Sequence, residues 1–256
     1  MYIIRRMRVR AGRAACAMLA LLLTAACNPL AGRQYEYEEQ LYLSVDGSAT
    51  IILDASLPAL AALRGLVLDA GARMDRATIR RAFEAGGCEV VSVAQPWRRR
   101  GRRFVQVRLR TADVRTLNSC KWLSWSSYRL EPEGETLRYQ QVVGAPAGGN
   151  AGSPGWDGSE IVGFKLHLPS RVIHHNVKLL DGTNGTVERG NILTWEQRLE
   201  DRLSGKPIDM AVILSAQSIL YQTLGLFAGA FLAAVLLLGG IIWWVLRRGR
   251  RLAKSN

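Results

Sequence analysis

The residues best equipped for chemistry in this 256-residue chain are four cysteines, three histidines and one dense run of arginines. A thiol can serve as nucleophile, metal ligand or half of a disulfide, and spacing and compartment decide which. Cys16 and Cys27 belong to an N-terminal apolar stretch, which leaves Cys88 and Cys120 as a pair. The imidazoles are His167, His174 and His175. Adjacent residues on a strand point to opposite faces, so His174 and His175 do not readily share a metal. There is no His-Glu-x-x-His, no Gly-x-Ser-x-Gly and no phosphate-binding glycine loop. Glu36, Glu38 and Glu39 read as a solvated strand face, and nothing singles out a pair of catalytic carboxylates. The expectation is a protein without enzymatic activity, metal or cofactor.

The arginine run is Trp97-Arg98-Arg99-Arg100-Gly101-Arg102-Arg103-Phe104, five guanidinium groups between two aromatics at a strand-to-strand turn. On an exported domain near a bilayer, Arg98, Arg99, Arg100, Arg102 and Arg103 are candidates for contact with anionic lipid head groups. The competing reading is a solvated hairpin tip whose charge blunts edge-to-edge aggregation. Trp122 and Trp125, three apart on what reads as a strand, fall on different faces and make no platform by themselves.

What must position these residues begins with the two ends of the chain. Arg5, Arg6, Arg8, Arg10 and Arg13 precede an uncharged stretch, residues 14–26, that closes on Thr24-Ala25-Ala26-Cys27. A basic segment, a short apolar segment and small residues make up a secretory signal, too short to span a bilayer comfortably. Leu23 to Cys27 resembles a lipobox, which makes Cys27 the candidate for acylation; cleavage after Ala26 by an ordinary signal peptidase stays open. At the other end no charge occurs between Asp209 and Arg247. Residues 224–246 span ~34 Å at helical rise, enough to cross the hydrocarbon core. Arg247, Arg248, Arg250, Arg251 and Lys254 follow, and basic tails of this kind stay cytoplasmic. The domain before the span is then extracytoplasmic, as the signal also requires.

This topology reinterprets the net charge of +13. Setting aside the five basic residues at each end leaves 24 basic against 21 acidic, or +3. The high pI is mostly topogenic, so it predicts no nucleic-acid partner. In an oxidising compartment Cys88 and Cys120 are a candidate disulfide, with two separately buried thiols as the alternative.

Between the ends, the pattern is that of one α+β domain: a mainly antiparallel sheet with two or three short helices, followed by one transmembrane helix. Residues 35–45 alternate, Asp46-Gly47 turns the chain, and Ala49, Ile51 and Leu53 continue on a second strand. Helices are expected over 57–71, from an Asp75 cap through Ala85, and over 112–118 capped by Thr111. Strands are expected over 88–94, 103–110, 121–130, 136–143, 161–168, 172–180, 192–198 and 208–214. Residues 144–158, rich in Gly, Pro and Ala, read as a loop. The resulting division is signal 1–26, extracytoplasmic domain 27–216, transmembrane helix 217–246 and cytoplasmic tail 247–256.

The layout of lipobox, Asp46-Gly47-Ser48 between early strands, and late strands before a single span and basic tail resembles the LppM-type bacterial membrane lipoproteins. The nearest local likeness is Leu168-Pro169-Ser170-Arg171-Val172, then Asn191 and Trp195, then the strand leading into the span. This resemblance implies an α/β ectodomain with proposed binding of a membrane lipid, an envelope lipid or glycolipid, and no established enzymatic activity. The arginine run and the glycine-rich loop are not carried by the resemblance. The reading is a membrane-anchored extracytoplasmic lipoprotein of the bacterial cytoplasmic membrane. The alternative is a scaffold or assembly subunit with a membrane protein partner.

Overall fold

The computed structural model describes residues 35–68, 74–148, 154–217 and 219–252. The signal-like segment and Cys27 lie outside the described residues. Strand β1 (Tyr35–Leu43) and β2 (Ala49–Ser56) form the expected antiparallel hairpin, with Gly47 at φ 88° in the turn. Only glycine takes that backbone conformation without strain. β5 (Arg102–Thr111) pairs with β2, and β3 (Glu89–Val93) and β4 (Trp97–Arg99) both pair with β5. On the other side β1 pairs in parallel with β8 (Ile161–His167), which pairs with β10 (Ile192–Arg198). The result is a seven-stranded mixed sheet. A second, antiparallel sheet of four strands runs β6 (Ser126–Glu133), β7 (Thr136–Val143), β11 (Ile208–Ser215), β9 (Val172–His175). The architecture is α+β, as the alternation predicted.

The first sheet has two unlike faces. Its inner face carries Tyr37, Leu41, Leu43, Ile51, Leu53, Val105, Val107, Phe164 and Leu166, all buried, and shares one core with Tyr139, Met210 and Val212 of the second sheet. Two short helices fill the remaining space. In α1 (Leu57–Arg64) Ser56 caps the N-terminus by accepting from Ala59 N, and Gly65 ends it at φ 64°. Every α1 residue except Pro58 is buried, which explains its weak helical periodicity in sequence: a helix covered on all sides needs no polar face. α2 (Arg76–Glu84) starts at the Asp75 cap and buries Ile79 and Phe83, as expected.

Several expectations are corrected. Residues 114–119 form a 3₁₀ turn capped by Asp113 rather than an α-helix capped by Thr111; the Thr111 hydroxyl bonds the Asp113 backbone instead. Lys121–Leu123 is a second 3₁₀ turn, so Trp122 and Trp125 do not share a strand. Trp122 folds back against α2, donating from Nε1 to the Ala82 carbonyl at 3.0 Å. Gly86 is necessary there, since any Cβ would land on the Trp122 indole. β4 is a strand of three residues, too short to announce itself by alternation. The strand expected over 172–180 stops at His175.

A short helix, α3 (Leu199–Leu203), precedes β11, and α4 (Ile219–Leu252) follows it. Among the described residues α4 is the one helix long and apolar enough to cross a membrane, over Thr223–Trp244. Its apolar side chains in that window are exposed.

Candidate functional site

The arginine turn is a tight hairpin. Trp97 pairs with Phe104, Arg98 with Arg103 and Arg99 with Arg102, while Arg100 (φ 49°) and Gly101 (φ 76°) make the corner. Positive φ at both central residues is the geometry that matches strand twist. The five arginines are not equivalent. Arg98 and Arg100 are exposed, and Arg99 and Arg103 are partly buried. Arg99 lies 4.1 Å above the Phe104 ring and donates to the Tyr35 carbonyl. Arg102 departs from the expected solvent-facing cluster: it is 8% exposed. Its Nε is 3.0 Å from Glu36 Oε1 and its Nη2 3.5 Å from Glu160 Oε1. Its Nη1 donates to the Pro154 and Gly155 carbonyls. Trp156 Nε1 also donates to Glu36, and Glu160 accepts from the Asp157 and Gly158 amides. Arg102 therefore fastens the end of the glycine-rich segment to the outer face of the sheet, and cannot reach a bilayer without releasing it.

Glu36 and Glu39 also correct the solvated-face reading, being 3% and 2% exposed. Strand alternation sends Glu36 to the outer face, under residues 154–160, and Glu39 to the inner face beside Tyr37 and Leu41. There Glu39 Oε2 accepts from Arg64 Nη2 at 2.6 Å and Tyr37 OH at 3.0 Å. Its Oε1 accepts from Tyr128 OH and Gln141 Nε2, both at 3.3 Å. One carboxylate thus links β1, α1, β6 and β7 across the two sheets. The Arg64 guanidinium lies 3.5 Å from the Trp125 ring centroid, and that of Arg202 lies 5.4 Å from it. Arg202 donates to the Val143 and Gly144 carbonyls. Burial pushes the phenols of Tyr37, Tyr128 and Tyr139 well above their ordinary range, so they stay neutral hydrogen-bond donors. Burial, then repulsion from Arg64, lowers Arg202. This centre is sealed by the core, and its geometry holds the sheets together. The sequence signal for it was Glu39's place between Tyr37 and Leu41 on the core-facing alternation.

Cys88 and Cys120 come together with Cα atoms 4.7 Å apart and are joined as a disulfide. It ties the end of α2 and the start of β3 to the 3₁₀ turns, and both cysteines are buried. His174 and His175 stand next to one another on β9, and His167 stacks on Tyr42 at 3.9 Å on β8.

A feature that the sequence did not single out is a pocket of about 370 Å³ between β10, the start of β11 and residues 176–182. Trp195 of β10 forms one wall, with Leu179, Leu180, Pro207 and Ile208 around it. The indole is fixed: its Nε1 donates to Asn176 Oδ1 at 3.3 Å. Asn176 Oδ1 also accepts from Ala211 N, and its Nδ2 donates to the Asp209 carbonyl. One asparagine thus holds the 176–182 segment against β11 and orients the aromatic wall. Gln197, on the same side of β10 as Trp195, donates from Nε2 to the Lys206 carbonyl at 3.2 Å. Trp195 is 3% exposed, so the surface a ligand could reach is chiefly that of Leu179, Leu180 and Pro207 with a few fixed polar groups. Trp195 belonged to the motif read from sequence, but the pocket needs β10 and β11, which lie in different sheets, to approach one another.

The chain is similar to the NMR structure of the folded domain of the Mycobacterium tuberculosis LppM protein. The two share 12% identity over 73% of this chain and 94% of that one, with a TM-score of 0.39. At that level the likeness is distant. No family model and no curated protein matches the chain.

Proposed function

We propose that this protein is a membrane-anchored extracytoplasmic lipoprotein that binds the head group of an envelope lipid or glycolipid and catalyses no reaction. The observation that carries the binding reading is the pocket of about 370 Å³ between β10 and the start of β11, lined by Leu179, Leu180 and Pro207 beside fixed polar groups. Of the charged residues around it, Lys206 faces Asp201, Arg198 donates to the Gly158 carbonyl, and Lys178, Glu196 and Asp209 bond neutral side chains. Three features support the membrane and compartment: the lipobox-like sequence at Cys27, the apolar helix over Thr223–Trp244, and the Cys88–Cys120 bridge, which suits an oxidising environment.

The test is mass spectrometry of lipids that co-purify with the detergent-extracted full-length protein. A lipid or glycolipid enriched over its share of the membrane is the expected result, reduced when Leu180, at the pocket mouth, is changed to Trp. A lipid profile equal to that of the bulk membrane in both proteins would refute the binding reading.

A further inference from the structure

We infer that the corner of the arginine turn meets a polyanionic chain on the side of the domain away from the membrane, and does not serve the bilayer that holds α4. This takes α4 as the membrane span and is independent of the pocket. Position is the first support. Arg102, at the start of β5, pairs with Glu160, next to the start of β8. Ile161 of β8 pairs with Arg198, the last residue of β10, and Gln197 beside it donates to the Lys206 carbonyl just before β11. The turn and the start of β11 therefore share one end of the domain. β8 and β11 both run to the other end, where the Arg171 carbonyl accepts from the Ser215 amide and the chain enters α4. The length of these strands puts the turn roughly 20–25 Å from that entry. A surface potential decays over about 8 Å at physiological salt, so less than about a tenth of it reaches the turn.

The second support is the distribution of charge. At the α4 end, Ala216 donates to the Glu135 carbonyl, and the β6–β7 turn exposes Glu131, Glu133 and Glu135 beside the exposed Arg138 and Arg171. Arg138 is held by Glu133. That end has no surplus of positive charge with which to hold an anionic bilayer. At the far end Arg98 is exposed, with no hydrogen bond or ion pair among the described residues. Arg100 is exposed beside Asp157, whose carboxyl is held below its ordinary range by Ser159 first and by Arg100 as well. The shape of the corner then selects the partner. It exposes no large apolar side chain, since Phe104 is buried and Trp97 half-buried. A stable protein partner needs about 800 Å² on each side, with a desolvated centre. Two guanidinium groups some 6–7 Å apart along a strand suit a flexible chain instead, whose successive phosphates or carboxylates each fill one fork.

The experiment is fluorescence anisotropy of end-labelled polyphosphate, and separately of end-labelled polyglutamate, with the full-length protein in phosphatidylcholine nanodiscs. Saturable binding is expected, weakening about tenfold between ~50 and ~200 mM salt, the slope for two neutralised charges. The chain that binds more tightly names the chemistry of the polymer. Arg98→Gln with Arg100→Gln should weaken binding about thirtyfold at low salt. Asp157→Asn, which removes the opposing charge beside Arg100, should strengthen it, a change that loss of folding cannot imitate. Arg108→Gln with Arg129→Gln removes as much charge from exposed sites elsewhere and should leave binding nearly unchanged. Replacing part of the phosphatidylcholine by phosphatidylglycerol should not alter the ratio between wild type and the Arg98, Arg100 variant, because the bilayer lies beyond the screening length. Absence of saturable binding, equal binding by that variant, an equal loss in the Arg108, Arg129 variant, or a ratio that collapses with phosphatidylglycerol would each overturn the inference. None of these outcomes touches lipid co-purification, which tests the proposed function separately.

Discussion

Asp54 is the residue whose substitution gives the sharpest signature. It lies on the outer face of β2, directly opposite Glu38 of β1 and Gln106 of β5. Like charges placed opposite one another across strands repel. Burial first, and Glu38 second, push the Asp54 carboxyl up from 3.8 to about 6, against the opposing pull of Arg99 and the Gln106 hydrogen bond. A folded-state value above the unfolded one means that the native protein holds the proton more tightly. The associated stability is fully present at low pH and is lost as pH rises from about 4 to about 6. Over that interval the full cost of ionising Asp54 is about 3 kcal/mol, and partial exposure reduces it to about 1–2 kcal/mol.

Asp54→Asn removes the titration while keeping the shape and the contact to Gln106. The variant should therefore be more stable than wild type at pH ~8 by about 1–2 kcal/mol, or roughly 3–6 °C in Tm for a domain of this size. Its advantage should shrink through pH ~6 and vanish near pH ~4. Thermal unfolding of both full-length proteins in the same detergent, followed by circular dichroism across that range, measures the difference directly. A difference that does not vary with pH, or a variant less stable than wild type at the alkaline end, would refute this account of Asp54.

Reducing the Cys88–Cys120 bridge, or replacing both cysteines by Ala, should cost about 3–4 kcal/mol for a separation of 32 residues in the chain-entropy model, read as a lower Tm. Glu39→Gln and Arg64→Met should each destabilise by about 3–5 kcal/mol in denaturant unfolding because each leaves a buried partner behind, and the double variant should cost less than the two losses combined. Gly86→Ala should displace the Trp122 indole and lower stability by about 1–3 kcal/mol, visible as a shift in tryptophan fluorescence on unfolding. In flotation with anionic vesicles, Arg98→Gln with Arg100→Gln should reduce association of the full-length protein's exposed turn, whereas Arg102→Gln should instead lower Tm; equal effects of the two changes in both assays would remove the distinction between them.

The fold class was legible because its signals are local. Alternation over 35–43 and 49–56, the Asp46-Gly47 corner and the Asp75 cap each act within a few residues. α1 was harder to delimit, since its burial on nearly all sides erases the polar face that marks a helix boundary. The strand β4 and the 3₁₀ turns around Trp122 depend on pairing with β5 and docking on α2, which no short window contains. The parallel β1–β8 pair joins residues more than a hundred positions apart, and alternation says nothing about a strand's partner. The pocket has the same cause: Trp195 and Ile208 meet because two sheets converge.

Charge was the property least legible from sequence, because a charged residue type does not reveal what covers it. Glu36, Glu39, Arg64, Arg102 and Arg202 are all buried, in a chain whose charge looks like surface charge when read along the sequence. Each is covered by an element distant in sequence: Glu36 and Arg102 by residues 154–160, Glu39 and Arg64 by the second sheet. Isolated, any one of these groups would be strongly destabilising; paired and hydrogen-bonded, they fix how the sheets and the glycine-rich segment meet. That division also sorts the arginine turn. Arg98 and Arg100 project into solvent and can answer to a surface. Arg102 answers to Glu36 and Glu160, and Arg99 to Phe104 and the Tyr35 backbone. Any attraction of this turn to an anionic membrane therefore comes from its corner and outer edge, at a strength nearer two arginines than five, about 2 kcal/mol before screening by salt.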